Sequence, residues 1–212
     1  MTANPYDPLL NKDEEEIKTG GSSRLRDRFS TVLVFLAAPL MALIMIHFVF
    51  QTYEVEGPSM ERTLQDKDRL IVWKVNRTWA RLTGNDYIPE RYDVIVFNHR
   101  GIAGSTDGSE RQLIKRVIGL PGDRVVVKDG AVTIYNKEKP GGFQVDDLGP
   151  EKDVITITAG NIDETIQPGQ IFVMGDNREN SLDSRNLGPI RAEDIVGKLS
   201  MRIYPFDKAD KF

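Results

Sequence analysis

The chain has 212 residues, enough for one large domain or two small ones, and its 40% hydrophobic and 28% charged content is that of a folded globular protein. A net charge of −4 without a long basic stripe gives no reason to expect a nucleic-acid partner. The absence of cysteine excludes disulfides, thiolate metal sites and cysteine nucleophiles, and two histidines, His47 and His99, cannot build a His-rich zinc site.

Residues 1–28 are polar, with an acidic run at Glu14-Glu15-Glu16 and Gly20-Gly21-Ser22-Ser23, and read as a disordered tail. Residues 29–50 contain no charge. Twenty-two residues at about 1.5 Å each reach roughly 33 Å, enough to cross a hydrocarbon core of about 30 Å. The run is longer than an ordinary signal-peptide core, and Gln51-Thr52-Tyr53-Glu54 offers no small-x-small cleavage site, so an uncleaved anchor is expected. Lys18, Arg24, Arg26 and Arg28 precede it and no basic residue follows before Arg62. The positive-inside rule then places the N-terminus in the cytoplasm and residues 51–212 outside.

That outer portion reads as mainly β. Short β-branched runs at 69–73, 94–97, 113–118, 124–127, 131–135, 154–157 and 171–174 are separated by Gly, Pro and Asp turns. Asp129-Gly130 suits the tight turn of a hairpin between 125 and 134. No amphipathic helix is expected here. Residues 98–109 and 136–150 read as loops or extensions away from the core, and His99 falls in the first of them.

Three segments carry possible chemistry. In Gly57-Pro58-Ser59-Met60 a serine follows a turn-forming pair, which suits either an exposed nucleophilic hydroxyl or an ordinary turn serine. In Leu113-Ile114-Lys115-Arg116-Val117-Ile118 two adjacent bases sit in a strand and must point to opposite faces. If both faces are partly covered, one base is forced towards the core; on an edge strand both stems would instead reach water. Burying a lysine favours its neutral amine, and a pKa drop of two to three units corresponds to roughly 3–4 kcal/mol. Arginine stays protonated and cannot act as a base. The third segment, Gly175-Asp176-Asn177-Arg178-Glu179-Asn180-Ser181-Leu182-Asp183-Ser184-Arg185, is either a polar surface loop or an ordered network around a site.

In this order, Ser59-Met60-x-x-Thr63-Leu64, Lys115-Arg116-Val117-Ile118-Gly119-Leu120-Pro121-Gly122-Asp123 and Gly175-Asp176-Asn177-Arg178-x-x-Ser181-x-Asp183-Ser184-Arg185 resemble the motifs of the bacterial type I signal peptidases (leader peptidases), and the likeness runs from about Phe29 to Tyr204. The resemblance implies one N-terminal transmembrane helix (29–50) followed by a β-rich extracytoplasmic protease domain (51–212), held at the cell membrane. It implies Ser59 as nucleophile, Lys115 as general base, Ser181 as a hydroxyl orienting the lysine amine, Asp183 and Arg185 as an ion pair behind the site, and Met60 in the substrate-binding wall. The oxyanion would rest on the Ser59 backbone amide; some members add a serine two residues earlier, where this chain has Gly57. Arg62 stands where the family usually has proline, which predicts a turn of different rigidity. Eukaryotic relatives pair serine with histidine, which makes His99 the alternative base. The implied substrates are exported preproteins cut after Ala-x-Ala-like signal peptides. Membrane lipid is the other partner, the chain is expected to work as a monomer, and no metal or cofactor is required. Two rivals are a Ser–Lys self-cleaving repressor and a non-catalytic, membrane-tethered β-domain that binds exported proteins.

Overall fold

The computed structural model describes residues 31–99, 111–146 and 157–212. The tail at 1–28, the start of the apolar run at 29–30, most of the loop expected at 98–109 and all but the last residue of the strand expected at 154–157 lie outside them. The chain divides into two compact units, Met1–His47 and Phe48–Phe212.

Helix α1 occupies residues 31–44 and continues as a π-helical turn, Met45–Val49. The helical backbone therefore stops before Phe50, which opens strand β1 (Phe50–Glu54) rather than closing the apolar run. Among the described residues no helix is long and apolar enough to cross a membrane.

Eleven more strands follow: β2 (Arg69–Trp73), β3 (Val94–His99), β4 (Arg111–Gly119), β5 (Arg124–Lys128), β6 (Ala131–Tyr135), β7 (Phe143–Gln144), β8 (Ile162–Thr165), β9 (Gln170–Met174), β10 (Ile190–Arg191), β11 (Ile195–Tyr204) and β12 (Asp210–Lys211). The larger sheet runs β1-β2-β11-β3-β4-β9-β10, with β12 added to β11; the smaller runs β7-β6-β5-β8. All strand pairings among the described residues are antiparallel. The expected hairpin is present: Lys128 pairs with Ala131, and Asp129 and Gly130 take φ of 52° and 83°, as a two-residue primed turn requires.

Three expectations need correction. Residues 136–146 do not stray from the core, because β7 pairs with β6 and Val145 is buried among Ile134, Val132 and Ile118. His99 is the last residue of β3, opposite Arg111, rather than part of a loop. Residues 51–212 do contain an amphipathic helix, α2 (Val75–Thr83), which ends on Gly84 at φ 71°. Its apolar period rests on only Val75, Trp79 and Leu82, too few residues to stand out from a polar loop.

The core lies where sheet faces meet. Ile118, Phe172 and Met174 of the larger sheet pack on Val125, Val127, Val132 and Ile134 of the smaller. A second cluster, Val55, Met60, Leu64, Leu70, Val94 and Leu199, sits beneath the segment carrying Ser59. Strand β11, the longest, pairs with β2 on one side and with β3 on the other, so it holds the two halves of the sheet in register.

Candidate active site

Ser59 sits on a tight connection between β1 and β2. Val55 N donates to Asp68 O and Lys67 N to Val55 O, each at 2.9 Å, so the connection is pinched at its base. Gly57 turns the chain at φ 88° and donates its amide to Asp66 Oδ1 (2.9 Å). From Pro58 the backbone coils, with Glu61 N bonded to Pro58 O and Leu64 N to Met60 O. Met60 and Leu64, both fully buried, nail this coil to the core. Met60 is therefore an anchor beneath the site and is not among the residues lining the cleft described below.

Lys115 comes from β4, an interior strand with β3 on one side and β9 on the other. Its neighbour Arg116 points to the opposite face, yet both are buried, at 2% and 5% exposure. Sequence alternation allows either one base in the core or both stems reaching water from an edge strand; β4 is an interior strand, and both bases are buried. The consequences differ with the chemistry of each cation. Arg116 is neutralised in place: its Nε donates to Asp176 Oδ1 (2.8 Å) and its Nη2 to Asp176 Oδ2 (2.6 Å), while Nη1 holds the Tyr92 carbonyl (2.9 Å). Thr63 Oγ1 donates to the same carboxylate (2.5 Å), which ties the Ser59 coil to the pair.

Among the described residues Lys115 has no such carboxylate in hydrogen-bond contact. Its Nζ donates to the Ile114 carbonyl (2.7 Å) and lies 2.7 Å from Ser59 Oγ. Burial lowers its pKa from 10.5 to about 8, and the charges of Asp183 and Asp176 only partly offset that loss. About a tenth of the amine is thus neutral at pH 7 and half of it at pH 8. A hydroxyl and a neutral amine at this distance can exchange a proton, the geometry that activating a serine requires.

The third motif closes the rear of the site. Gly175 follows β9, and a Cβ there would overlap both Ser181 Oγ and the Ser59 carbonyl, so only glycine lets these segments approach. Asn177 N donates to that same Ser59 carbonyl (3.1 Å), and Asn177 Nδ2 reaches Glu61 (3.1 Å). Asp183, fully buried, caps α3 (Ser184–Leu187) and accepts from Gly175 N (3.1 Å), Arg185 Nε (2.9 Å) and Arg185 Nη2 (3.0 Å). Arg185 in turn holds the carbonyls of Arg178 (2.5 Å) and Ala159 (2.9 Å). Among the described residues Ser181 Oγ is buried without a hydrogen-bond partner, and no bond joins it to Lys115.

A cleft of about 210 Å³ opens at Ser59 and Lys115, walled by Tyr53, Val55, Leu70, Val96 and Ile114. Pairing of β9 with β4 begins at Arg116, so on that side residues 111–115 have no strand partner among the described residues. His99 lines a different cavity, with Gln170, Ile190 and Asp194, and is not brought to Ser59.

Sequence reasoning assigned no role to Arg116, Asp176, Thr63 or the Asp68–Arg202 pair (3.2 Å), whose arginine also holds the Thr63 carbonyl (2.9 Å). The signal for the first pair was there: an arginine beside a lysine in a strand covered on both faces needs a buried carboxylate, and Asp176 lies in the third motif. Nothing local marks Arg202 as a partner of residues more than a hundred positions earlier.

The description "Signal peptidase, peptidase S26" matches residues 28–204. A signal peptidase I of Bacillus licheniformis is 34% identical over 189 residues, covering 86% of this chain and 92% of its own. Signal peptidase I T of Bacillus subtilis strain 168 is 35% identical over 215 aligned positions, covering 92% and 96%. A solved signal peptidase I from Enterococcus faecalis V583 is 26% identical and covers 55% of this chain and all of its own, with a TM-score of 0.40. A family match over most of the length, joined to relatives above 30% identity, places this chain in the signal peptidase family, peptidase S26, as an enzyme of the signal peptidase I type.

Proposed function

We propose that the protein is a membrane-anchored serine endopeptidase that removes signal peptides from exported preproteins, with Ser59 as nucleophile and Lys115 as general base. The observation that carries this reading is the contact of 2.7 Å between Ser59 Oγ and a buried lysine amine whose pKa is held at about 8.

Neutral Lys115 takes the Ser59 proton as Oγ attacks the scissile carbonyl, and the charge that develops on that oxygen is met by the Ser59 backbone amide. The resulting ammonium returns its proton to the leaving amine, which departs as the new N-terminus of the mature protein. Lys115 then deprotonates water, which releases the signal peptide from Ser59 as a free acid. Ser181 serves as a positioning residue: its unpartnered hydroxyl accepts a Lys115 N–H once it rotates into place. Asp183 and Arg185 hold the Gly175 backbone against Ser59, and Met60 holds the coil from below.

A small, mostly apolar cleft suits alanine-sized side chains and is well below the size of a drug-like pocket. The unpaired run of β4 at 111–115 suits an extended peptide added as a strand, which would send alternate side chains, the first and third before the cut, into the wall. The apolar run at 29–50 is assigned as the single transmembrane anchor, with the catalytic unit outside the cytoplasmic membrane and preproteins and lipid as the partners. Ser59 follows Phe50 by nine residues, so the site lies within about 30 Å of the membrane exit along the chain.

The test is cleavage of an Ala-x-Ala preprotein in detergent by the wild type, Ser59→Ala and Lys115→Met between pH 6 and 10. Activity should belong to the wild type alone and rise through a single pKa near 8. A Lys115→Met enzyme as active as wild type would remove Lys115 from the mechanism, and a wild type that leaves the preprotein intact would favour the binding-domain alternative.

A further inference from the structure

Arg178 is buried, at 6% exposure, and takes no part in the proton transfers described above. Its side chain reaches in two directions. Nε donates to the Gly175 carbonyl (3.1 Å), within the third motif. The other two nitrogens turn away from the site: Nη1 donates to Thr158 Oγ1 (2.7 Å) and Asp146 Oδ2 (3.0 Å), and Nη2 lies 2.8 Å from Asp146 Oδ1.

Asp146 and Thr158 are both fixed to the smaller sheet. Val145, next to Asp146, donates its amide to Val132 of β6 (3.0 Å), and its carbonyl accepts from the Tyr92 hydroxyl (3.2 Å). Thr158 N donates to Gly130 O (2.7 Å), in the turn between β5 and β6. A guanidinium cannot shed its charge on burial, so it stays in such a place only where a carboxylate meets it. The seat of Arg178 therefore depends on Asp146.

What Arg178 holds bears on the chemistry. The Gly175 amide is held by Asp183 (3.1 Å) and its carbonyl by Arg178, so this residue is fixed on both sides. A Cβ on Gly175 would lie 2.3 Å from Ser181 Oγ and 2.4 Å from the Ser59 carbonyl, so any displacement of Gly175 passes to the nucleophile and to Ser181. Arg178 also opens the 3-10 turn Arg178–Asn180 that delivers Ser181, and its carbonyl accepts from Arg185 Nη2 (2.5 Å).

We propose that Asp146 is a positioning residue for the Ser59–Lys115 pair, acting through Arg178 on Gly175 and Ser181, with Thr158 as a second support. This rests on the reading of Ser59 and Lys115 as nucleophile and base. The smaller sheet then contributes to catalysis from a distance, by carrying the counter-charge that keeps the rear of the site in place. Asp146, Thr158 and Arg178 are not among the residues lining the cleft, so substrate binding is left alone.

The test is preprotein cleavage by the full-length protein in detergent, with kcat scaled to the folded fraction read by circular dichroism. Asp146→Asn should lower kcat about tenfold at unchanged KM, the pattern of a misplaced reacting group. Its pH profile should still rise through a pKa near 8, because the carboxylates acting on Lys115 are Asp183 and Asp176. An Asp146→Leu, Arg178→Met double variant, which removes the buried pair altogether, should regain the urea midpoint but not kcat. Should kcat return together with the midpoint, the pair is only structural and the inference falls. It falls equally if Asp146→Asn keeps wild-type kcat, if the loss appears in KM alone, or if the pKa moves, since Asp146 would then act by its charge. Where Asp146→Asn does not fold, Thr158→Val reads the same seat without removing a charge: kcat about threefold lower at unchanged KM is expected, and wild-type kcat overturns the inference. A wild type that leaves the preprotein whole would sink the Ser59–Lys115 reading and this inference with it, whereas a wild type and an Asp146→Asn variant that cut equally well would sink this inference alone.

Discussion

Lys115 sits in its place at the expense of stability, and replacing it with methionine should show how much. The amine titrates near 10.5 in an unfolded chain and near 8 in the fold. A difference of 2.5 units is about 3 kcal/mol at 1.36 kcal/mol per unit. The direction follows from proton counting. Between pH 8 and 10.5 the unfolded chain binds the proton that the folded chain has released, so stability rises with pH across that window. Below pH 8 both states are protonated and the fold bears the whole cost of a buried ammonium; above pH 10.5 neither is, and the cost is gone. At pH 7 the penalty is about 3 kcal/mol, and at pH 10 it has dropped to about 1 kcal/mol. Methionine is similar in length and carries no charge, so Lys115→Met should be more stable than wild type at pH 7 by up to that amount. Its advantage should shrink by about 2 kcal/mol at pH 10. Urea unfolding followed by circular dichroism in detergent at the two pH values, with matched slopes, measures the difference directly. The substitution also forfeits the bonds to Ile114 O and Ser59 Oγ, which lowers the gain equally at both pH values, so the pH-dependent part is the cleaner quantity. A variant whose stability relative to wild type does not change between pH 7 and 10 would refute the claim that burial lowers the proton affinity of this amine.

Asp176→Asn should destabilise the protein by about 3–5 kcal/mol, because Arg116 would keep its charge in a site only 6% exposed while losing the charge of the carboxylate that binds it through both oxygens; thermal or urea unfolding reads the loss. Arg62 holds φ at 93°, a conformation costly for any residue with a Cβ, so Arg62→Gly should raise stability by about 1 kcal/mol. Arg62→Pro should do the reverse, since a ring locked near −65° cannot adopt this turn. A Pro variant as stable as wild type in urea would show that the coil after Ser59 can relax to a negative φ at this position.

Much of this protein was legible in local sequence. Alternating β-branched runs bounded by Gly, Pro and Asp marked β2, β5, β6 and β9 to within a residue, because strand formation there depends on neighbours along the chain and on one covered face. The three motifs pointed to Ser59, Lys115 and the 175–185 segment before any fold was known. Other features had no local cause. Strand β11 went unseen because Gly197, Lys198 and Ser200 break its apolar pattern; its place is decided by the strands on either side, β2 and β3, about a hundred or more residues away. The short helix α2 was missed because its apolar residues are few and face outwards. Period-two alternation could say that Lys115 and Arg116 point apart, but not that both would be buried, since burial belongs to whatever packs on each face. Arg116 met a carboxylate sixty residues on and stayed an ion pair; Lys115 met a serine hydroxyl and a backbone carbonyl and lost its proton affinity. The residue types were written in the sequence, and the tertiary contacts decided which of the two bases became the reactive one, because a pKa is set by what surrounds a group in space rather than by its neighbours along the chain.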